Sequence, residues 1–336
     1  MNYCHVRGSV DFMKMATQMA RVSGGAIDSC YYLAYRYDGA QGLVPEGMDS
    51  WVVGAGPSGH ELSNAKPGWM NGLWWSPSGA LYASFEPGKV YMRQPTSGEW
   101  LSAPVGQSLA GIWGLDDEHV YAWGKMNGQP TMHHWNGQAW TTVAAPGEII
   151  AMHGVSADRV YAVGAQGMCA LWDGAGWEVQ DLGTSVALWS VAVAPDGRAW
   201  TTGPRASVFF CGEDGWEEIA SSPVPLSSVA FWNERVWLAA GEFGLFELRG
   251  DSVVQADKDV HARHLEARGN LIAVAEDALL DTVDGESFRR VSLKHFRALV
   301  DEKPPGWQVV AEEPDIQDDD DPEFAGDFDD DEDDEY

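Results

Sequence analysis

The chain has 336 residues and is 45% apolar, enough for one large domain or two ordinary ones. Its formal charge is −30, with 21 basic residues against 51 acids, and this disfavours direct binding of nucleic acid, which needs clustered Lys and Arg. No apolar run approaches the length of a membrane-spanning helix, and 17 tryptophans supply ample core.

In chain order, the N-terminus (MNYCHVRGSVDFMKMA) has no apolar stretch flanked by basic residues and no small-residue cleavage site, so it reads as a poor secretory signal. Residues 9–22 are predicted to form a short amphipathic helix. Ser9 would be the N-cap, Phe12, Met15, Ala16 and Met19 would share one face, and Gly24-Gly25 would end it. Residues 1–27 are therefore set apart from the main domain. The segments YYLAYRYDG (31–39) and SWVVGAG (50–56) look like two strands of a first, divergent unit.

From Met70 onward a unit recurs. An aromatic or apolar anchor in the second strand stands at Tyr82, Tyr121, Tyr161, Trp200, Trp237 and Ile272, with spacings of 39, 40, 39, 37 and 35 residues. A second anchor follows a polar turn at Trp100, Trp140, Trp177, Trp216, Val253 and Phe288. Asn136-Gly137, Asp173-Gly174 and Asp284-Gly285 are among those turns, and such pairs are strong hairpin signals. The apolar pattern inside each unit has period two and carries no helical stripe, which excludes helical solenoids of similar period. Four short strands every 35–45 residues or so are the signature of a β-propeller blade. The predicted fold is all-β: a propeller over residues 28–311, most simply of seven blades of four antiparallel strands, with six or eight as alternatives. Either the N-terminal segment or WQVVA at Trp307 could close the ring.

After the last unit, Leu293, Phe296, Leu299 and Val300 suggest a short helix stopped by Pro304-Pro305. Residues 312–336 then hold 16 acids and no Lys or Arg, a composition that predicts a disordered tail. Subtracting those 16 charges from −30 leaves −14 on the rest, so the body is acidic as well.

Signs of chemistry are sparse. There is no nucleophile elbow, no HExxH and no phosphate-binding glycine loop, so no catalytic residue and no cofactor are assigned. Cys4, Cys30, Cys169 and Cys211 lack metal-ligand spacing. Scattered thiols and the absent signal point to a reducing cytoplasm. His133-His134 lie in a strand, so their rings should face opposite ways; His153 falls in a first strand, where propellers build central sites. Trp113, Trp189 and Trp74 occupy similar first-strand positions and, with Trp75, are candidate partner-binding aromatics; Trp74-Trp75 and the two histidines could be platforms for a sugar. Asp318, Asp319, Asp320, Asp321, Asp329, Asp330 and Asp331, with Phe324 and Phe328 among them, are the candidate contacts of the tail.

The units SADRVYAVGAQGMCALWDGAGW (156–177) and DDEHVYAWG…MHHWNGQAW (116–140) resemble the repeats of bacterial β-propeller proteins in the broad kelch/WD40-like group. The resemblance implies the fold and is nearly silent on function. The function expected from the residues is non-enzymatic recognition of a protein. The partner would be basic, a toxin or effector domain neutralised in the manner of an immunity protein, and the chain monomeric outside that complex. Carbohydrate or small-ligand binding, with or without hydrolysis, is the alternative.

Overall fold

In this computed structural model, which describes residues 15–40, 42–43 and 47–292, the chain folds into seven four-stranded antiparallel sheets. Each is an up-and-down meander cut from one contiguous stretch, so the blades are residues 15–67, 70–104, 108–143, 149–179, 190–221, 228–257 and 264–292. The first strands surround a common axis. Those of blades 1 to 4 are Met15–Ala26, Met70–Trp75, Ser108–Gly114 and Ile149–Ser156. Those of blades 5 to 7 are Ser190–Val193, Ser228–Trp232 and His264–Glu266. Each touches the first strand of the next blade, and the seventh touches the first, which makes the array a closed ring.

The physical reason for the ring lies in the second strands. Leu271–Val274 and Ala199–Thr202 are buried along their whole length, because both faces of a blade are covered by its neighbours. The period of two survives as a choice of neighbour. Tyr82 packs toward blade 3 with Trp74 and Val120, whereas Leu81 and Ala83 pack toward blade 1 with Leu33 and Val52. The apolar core accordingly divides into seven clusters, one at each interface between consecutive blades. Each fully buried large side chain contributes about 1.5–3 kcal/mol, and no blade could bury these faces alone.

The glycine that ends the VYAVG-type strands has a steric cause. A Cβ at Gly124 would stand 1.8 Å from the Ser108 carbonyl oxygen, and one at Gly164 would stand 1.9 Å from that of Glu148. The tryptophans that open the fourth strands pack on third-strand partners at the outer edge of an interface, with Trp135–Trp140 centroids 5.7 Å apart and Trp172–Trp177 5.6 Å apart.

Ring closure uses no exchanged strand among the described residues; blade 7 is built wholly from residues 264–292. The seam between blades 7 and 1 repeats the other interfaces. The Met19 N–H donates to the Glu276 carbonyl (2.9 Å), as Leu109 N–H does to Glu86 and Leu188 N–H to Gly164. One feature is added. The buried Asp281 carboxylate of blade 7 accepts from the Ile27 N–H of blade 1 (3.1 Å), Asn270 Nδ2 (2.7 Å), and Arg289 Nε and Nη2 (2.8 and 2.6 Å). Arg289 also reaches Asp28 of blade 1 at 3.1 Å.

Two expectations change. Residues 15–22 are not helical: they belong to Met15–Ala26, the first strand of blade 1, so the propeller begins within the segment set apart on sequence grounds. A β-bulge between Met19 and Arg21 places the buried Met19 and Val22 three residues apart and imitates helical spacing. No α-helix occurs among the described residues. The segments 31–39 and 50–56 do pair as expected, as the second and third strands of blade 1. Residues 9–14, the helix suggested after Leu293, Trp307 and the acidic tail lie outside the described residues.

Candidate functional site: the central channel and the acidic turn face

The seven first strands enclose a cavity of about 630 Å³ on the axis, within the range usual for ligand pockets. At one end, Arg268 of blade 7 bonds the Ser23 hydroxyl, the Trp75 carbonyl and Glu266, tying blades 7, 1 and 2 together. Short polar side chains staple neighbouring first strands along the wall. The Val229 N–H donates to Ser190 Oγ (3.0 Å), Leu265 N–H to Ser228 Oγ (3.2 Å) and Trp75 N–H to Ser23 Oγ (2.7 Å). His153 serves the same purpose: its Nδ1 accepts from the Val193 N–H at 3.1 Å, which requires an unprotonated Nδ1. Burial, then the Arg268 charge, push His153 down to about 4, and burial with Arg21 pushes His264 down to about 3. Both imidazoles are neutral at pH 7.

The candidate tryptophans separate. Trp74 and Trp113 are equivalent, each paired across the sheet with the anchor tyrosine of its second strand, Tyr82 or Tyr121. Trp74 is only 5% exposed and its ring lies against Gly114, where a Cβ would come within 2.8 Å. Trp113 stacks on Tyr121 (6.4 Å, 14°) and meets His153 at 6.0 Å. Trp75 is half-buried, edge-on to Tyr31 at 5.2 Å. Trp189 is 40% exposed but precedes its strand, three residues from the Trp113-equivalent position, which Ala192 fills. A ring of equivalent, exposed tryptophans, as a sugar platform would need, does not form. Sequence spacing missed the offset because blade 5 enters its first strand after a long connection, residues 180–189. The tail candidates, Asp318 to Asp321, Phe324, Phe328 and Asp329 to Asp331, lie outside the described residues.

Other side chains fall where strand periodicity puts them. His133 is buried and bonded to Thr142 Oγ1 (3.1 Å), while His134 faces the other way and stacks on Tyr121 at 4.8 Å. Cys30, Cys169 and Cys211 are free and buried. Burial raises the Cys30 and Cys169 thiols to about 12, so neither is a nucleophile at neutral pH. Among the described residues no group of three or more His, Cys, Asp or Glu gathers to hold a metal ion.

The second feature is a face. In an up-and-down meander the first-to-second and third-to-fourth turns share one end of the sheet, and here they are rich in acids. Several of these acids build the turns. Asp173 Oδ1 accepts from the Ala175 and Gly176 N–H groups, and Asp284 Oδ1 from those of Glu286 and Ser287. Those N–H groups hold both carboxyls below the usual range; the Arg198 N–H does the same for Asp196. These carboxylates are therefore fixed in position and stay ionised into acid, with Asp196 also ion-paired to the Arg198 guanidinium at 2.7 Å. Glu118, Glu213 and Asp214 add exposed carboxylates that make no turn bond. Arg159, Arg198, Arg235 and Arg268 stand among these acids, which outnumber them; the opposite end is more evenly mixed, with Arg21, Lys89, Arg205 and Lys258 beside Glu86, Asp181, Asp259 and Glu276.

No model of a known protein family matches the chain, and no curated protein does. Many solved structures match in fold. The structure described as YCF48 bound to D1 peptide aligns with a TM-score of 0.56 at 14% identity, over 80% of this chain and 94% of that one. The WD40 β-propeller domain of Doa1 aligns at 0.58 and 12%, over 80% and 97%. The β-propeller domain of Myceliophteria thermophila Cps50 (Swd1) aligns at 0.57 and 11%, over 82% and 97%. At such identities the likeness is one of fold, and in fold this chain is a seven-bladed β-propeller similar to WD40 propellers.

Proposed function

We propose that this protein is a non-enzymatic, protein-binding propeller that docks a basic partner on its acidic turn face. The observation carrying this reading is the fixed negative charge that the hairpin acids place at one end of every sheet from blade 3 to blade 7. Such a field raises the encounter rate with a cationic surface and selects against acidic ones. The 16 acids of residues 312–336 add charge of the same sign. A propeller of the same fold has been solved with a peptide bound, which supports the class of ligand. In its narrow form the proposal is an inhibitor of immunity type, whose partner is a basic toxin or effector domain.

The test is capture of partners from the native cell on immobilised full-length chain, followed by association kinetics with the captured protein. Neutralising Glu118→Gln, Glu213→Gln and Asp214→Asn together should slow association several-fold at low salt and leave thermal stability unchanged. Deleting residues 312–336 should do the same. Rates indifferent to salt and to both changes would refute the reading.

A further inference from the structure

One interface between blades is filled differently from its neighbours. Near the start of the fourth strand, blades 2 to 5 carry Trp100, Trp140, Trp177 and Trp216, and blade 7 carries Phe288. Each of these rings packs toward the preceding blade. Trp216 of blade 5, for instance, meets Tyr161, the anchor of blade 4, edge-on at 5.5 Å. In blade 6 the position is Val253, which is paired with Leu248 as Trp140 is with Trp135 and Trp177 with Trp172. A valine presents no ring to Trp200, the anchor of blade 5. Trp200 stacks instead on Phe231 from the first strand of blade 6 (5.3 Å, 5°) and lies against Phe210 (5.4 Å). What remains between blades 5 and 6 is a groove of about 380 Å³, lined by Trp200, Phe210, Ile219, Phe231, Val236 and Leu248. Four of these, Phe210, Ile219, Phe231 and Leu248, are only half-buried.

Turn residues form the rim, among them Glu234, Arg235 and Gly250, so the groove opens on the acidic turn face. Its own charges nevertheless cancel. Arg198 is paired with Asp196 at 2.7 Å and Arg249 with the buried Glu247 at 2.8 Å, while Arg235 directly follows Glu234. The Arg198 guanidinium lies over the Trp200 and Phe231 rings, 5.5 and 5.9 Å from their centroids. The surface offered is thus made of flat faces, apolar in its floor and neutral at its edge, within a face that is otherwise acidic.

We infer that the groove between blades 5 and 6 receives an uncharged aromatic side chain from the docked partner, an outside replacement for the ring that blade 6 lacks. The source of that side chain rests on the docking reading above; its chemistry rests on the groove alone. The matched rim offers neither a lysine nor a carboxylate an unpaired charge, and flat aromatic and guanidinium faces suit a ring. Basic residues of the partner would meet the surrounding acids, and the buried ring would act as the anchor that holds the complex once formed.

The test is calorimetric titration of the full-length chain, at low salt, with the acetylated and amidated peptides KKWKKK and KKAKKK and with N-acetyl-L-tryptophanamide. The tryptophan peptide should bind about tenfold more tightly than the alanine peptide, or better, from the burial of one aromatic side chain. Val253→Trp refills the groove from within. It should abolish that preference, leave the affinity for the alanine peptide unchanged and not lower the urea midpoint. Should it fold poorly, Val253→Phe is the smaller filler and decides in its place. Val179→Trp, at a position of blade 4 that is 69% exposed, should change nothing. Equal binding of the two peptides, or a preference that survives the filling, would overturn the groove's role and leave the docking reading standing. Binding of neither peptide would sink the docking reading, and N-acetyl-L-tryptophanamide then decides the groove by itself. Saturable binding that Val253→Trp removes upholds the site; no binding overturns it.

Discussion

Replacing Asp281 by Ala tests whether the ring is clasped at the seam of blades 7 and 1. Burial alone would raise this carboxyl, but the Arg289 guanidinium, the Asn270 amide and the Ile27 N–H outweigh it and hold the group below its usual range. Two of those donors, the Ile27 N–H and Asn270 Nδ2, serve a carboxylate that is 0% exposed. Hydrogen bonds to a charged group contribute about 1.5–3 kcal/mol each, so losing both costs about 3–6 kcal/mol. Arg289 is half exposed (52%), regains water when released, and adds only about 0–1 kcal/mol. Against a typical total of about 5–15 kcal/mol the change is large. Urea unfolding followed by tryptophan fluorescence measures it, and amide exchange at Ile27 localises it to the seam. Arg289→Gln should cost far less than Asp281→Ala. A loss below about 1 kcal/mol for Asp281→Ala, or equal losses for the two variants, would refute the clasp.

Two further outcomes follow from the wall and the strand ends. His153 and His264 titrate lower in the folded than in the unfolded chain, so stability is fully present above pH 6.5 and is lost as the pH falls toward about 4 and about 3 respectively. The drop at His153 corresponds to about 3.5 kcal/mol at most, at about 1.4 kcal/mol per pKa unit. Urea midpoints at pH 7.5 and pH 5 should differ in that direction, and His153→Gln should reduce the difference. Gly164→Ala forces a Cβ to 1.9 Å from the Glu148 carbonyl oxygen and should cost about 1–3 kcal/mol in the same assay, whereas alanine at the open Gly176 should be nearly neutral.

The blade pattern was legible because its cause is local. Each anchor tyrosine or tryptophan fills an interface that recurs every 35–40 residues, and each Asp-Gly or Asn-Gly turn repeats with it. The first strand of blade 1 was not, because its bulge at Ala20 breaks the alternation on which strand reading depends. Trp74 and Trp189 looked alike in sequence, yet only the pairing with the second strand shows one buried between blades and the other at a channel mouth. The acids of the turns could be counted from the sequence, but their concentration at one end of the sheets is a property of the meander.

Because every sheet among the described residues begins and ends within its own stretch of chain, the molecule is modular in a strict sense. A blade can emerge complete from the ribosome and wait only for its successor, without holding a place for a strand from the far terminus. The same bookends let a gene gain or lose one whole repeat without stranding half a sheet. A circular permutant opened at the 144–148 connection would likewise cut through no blade.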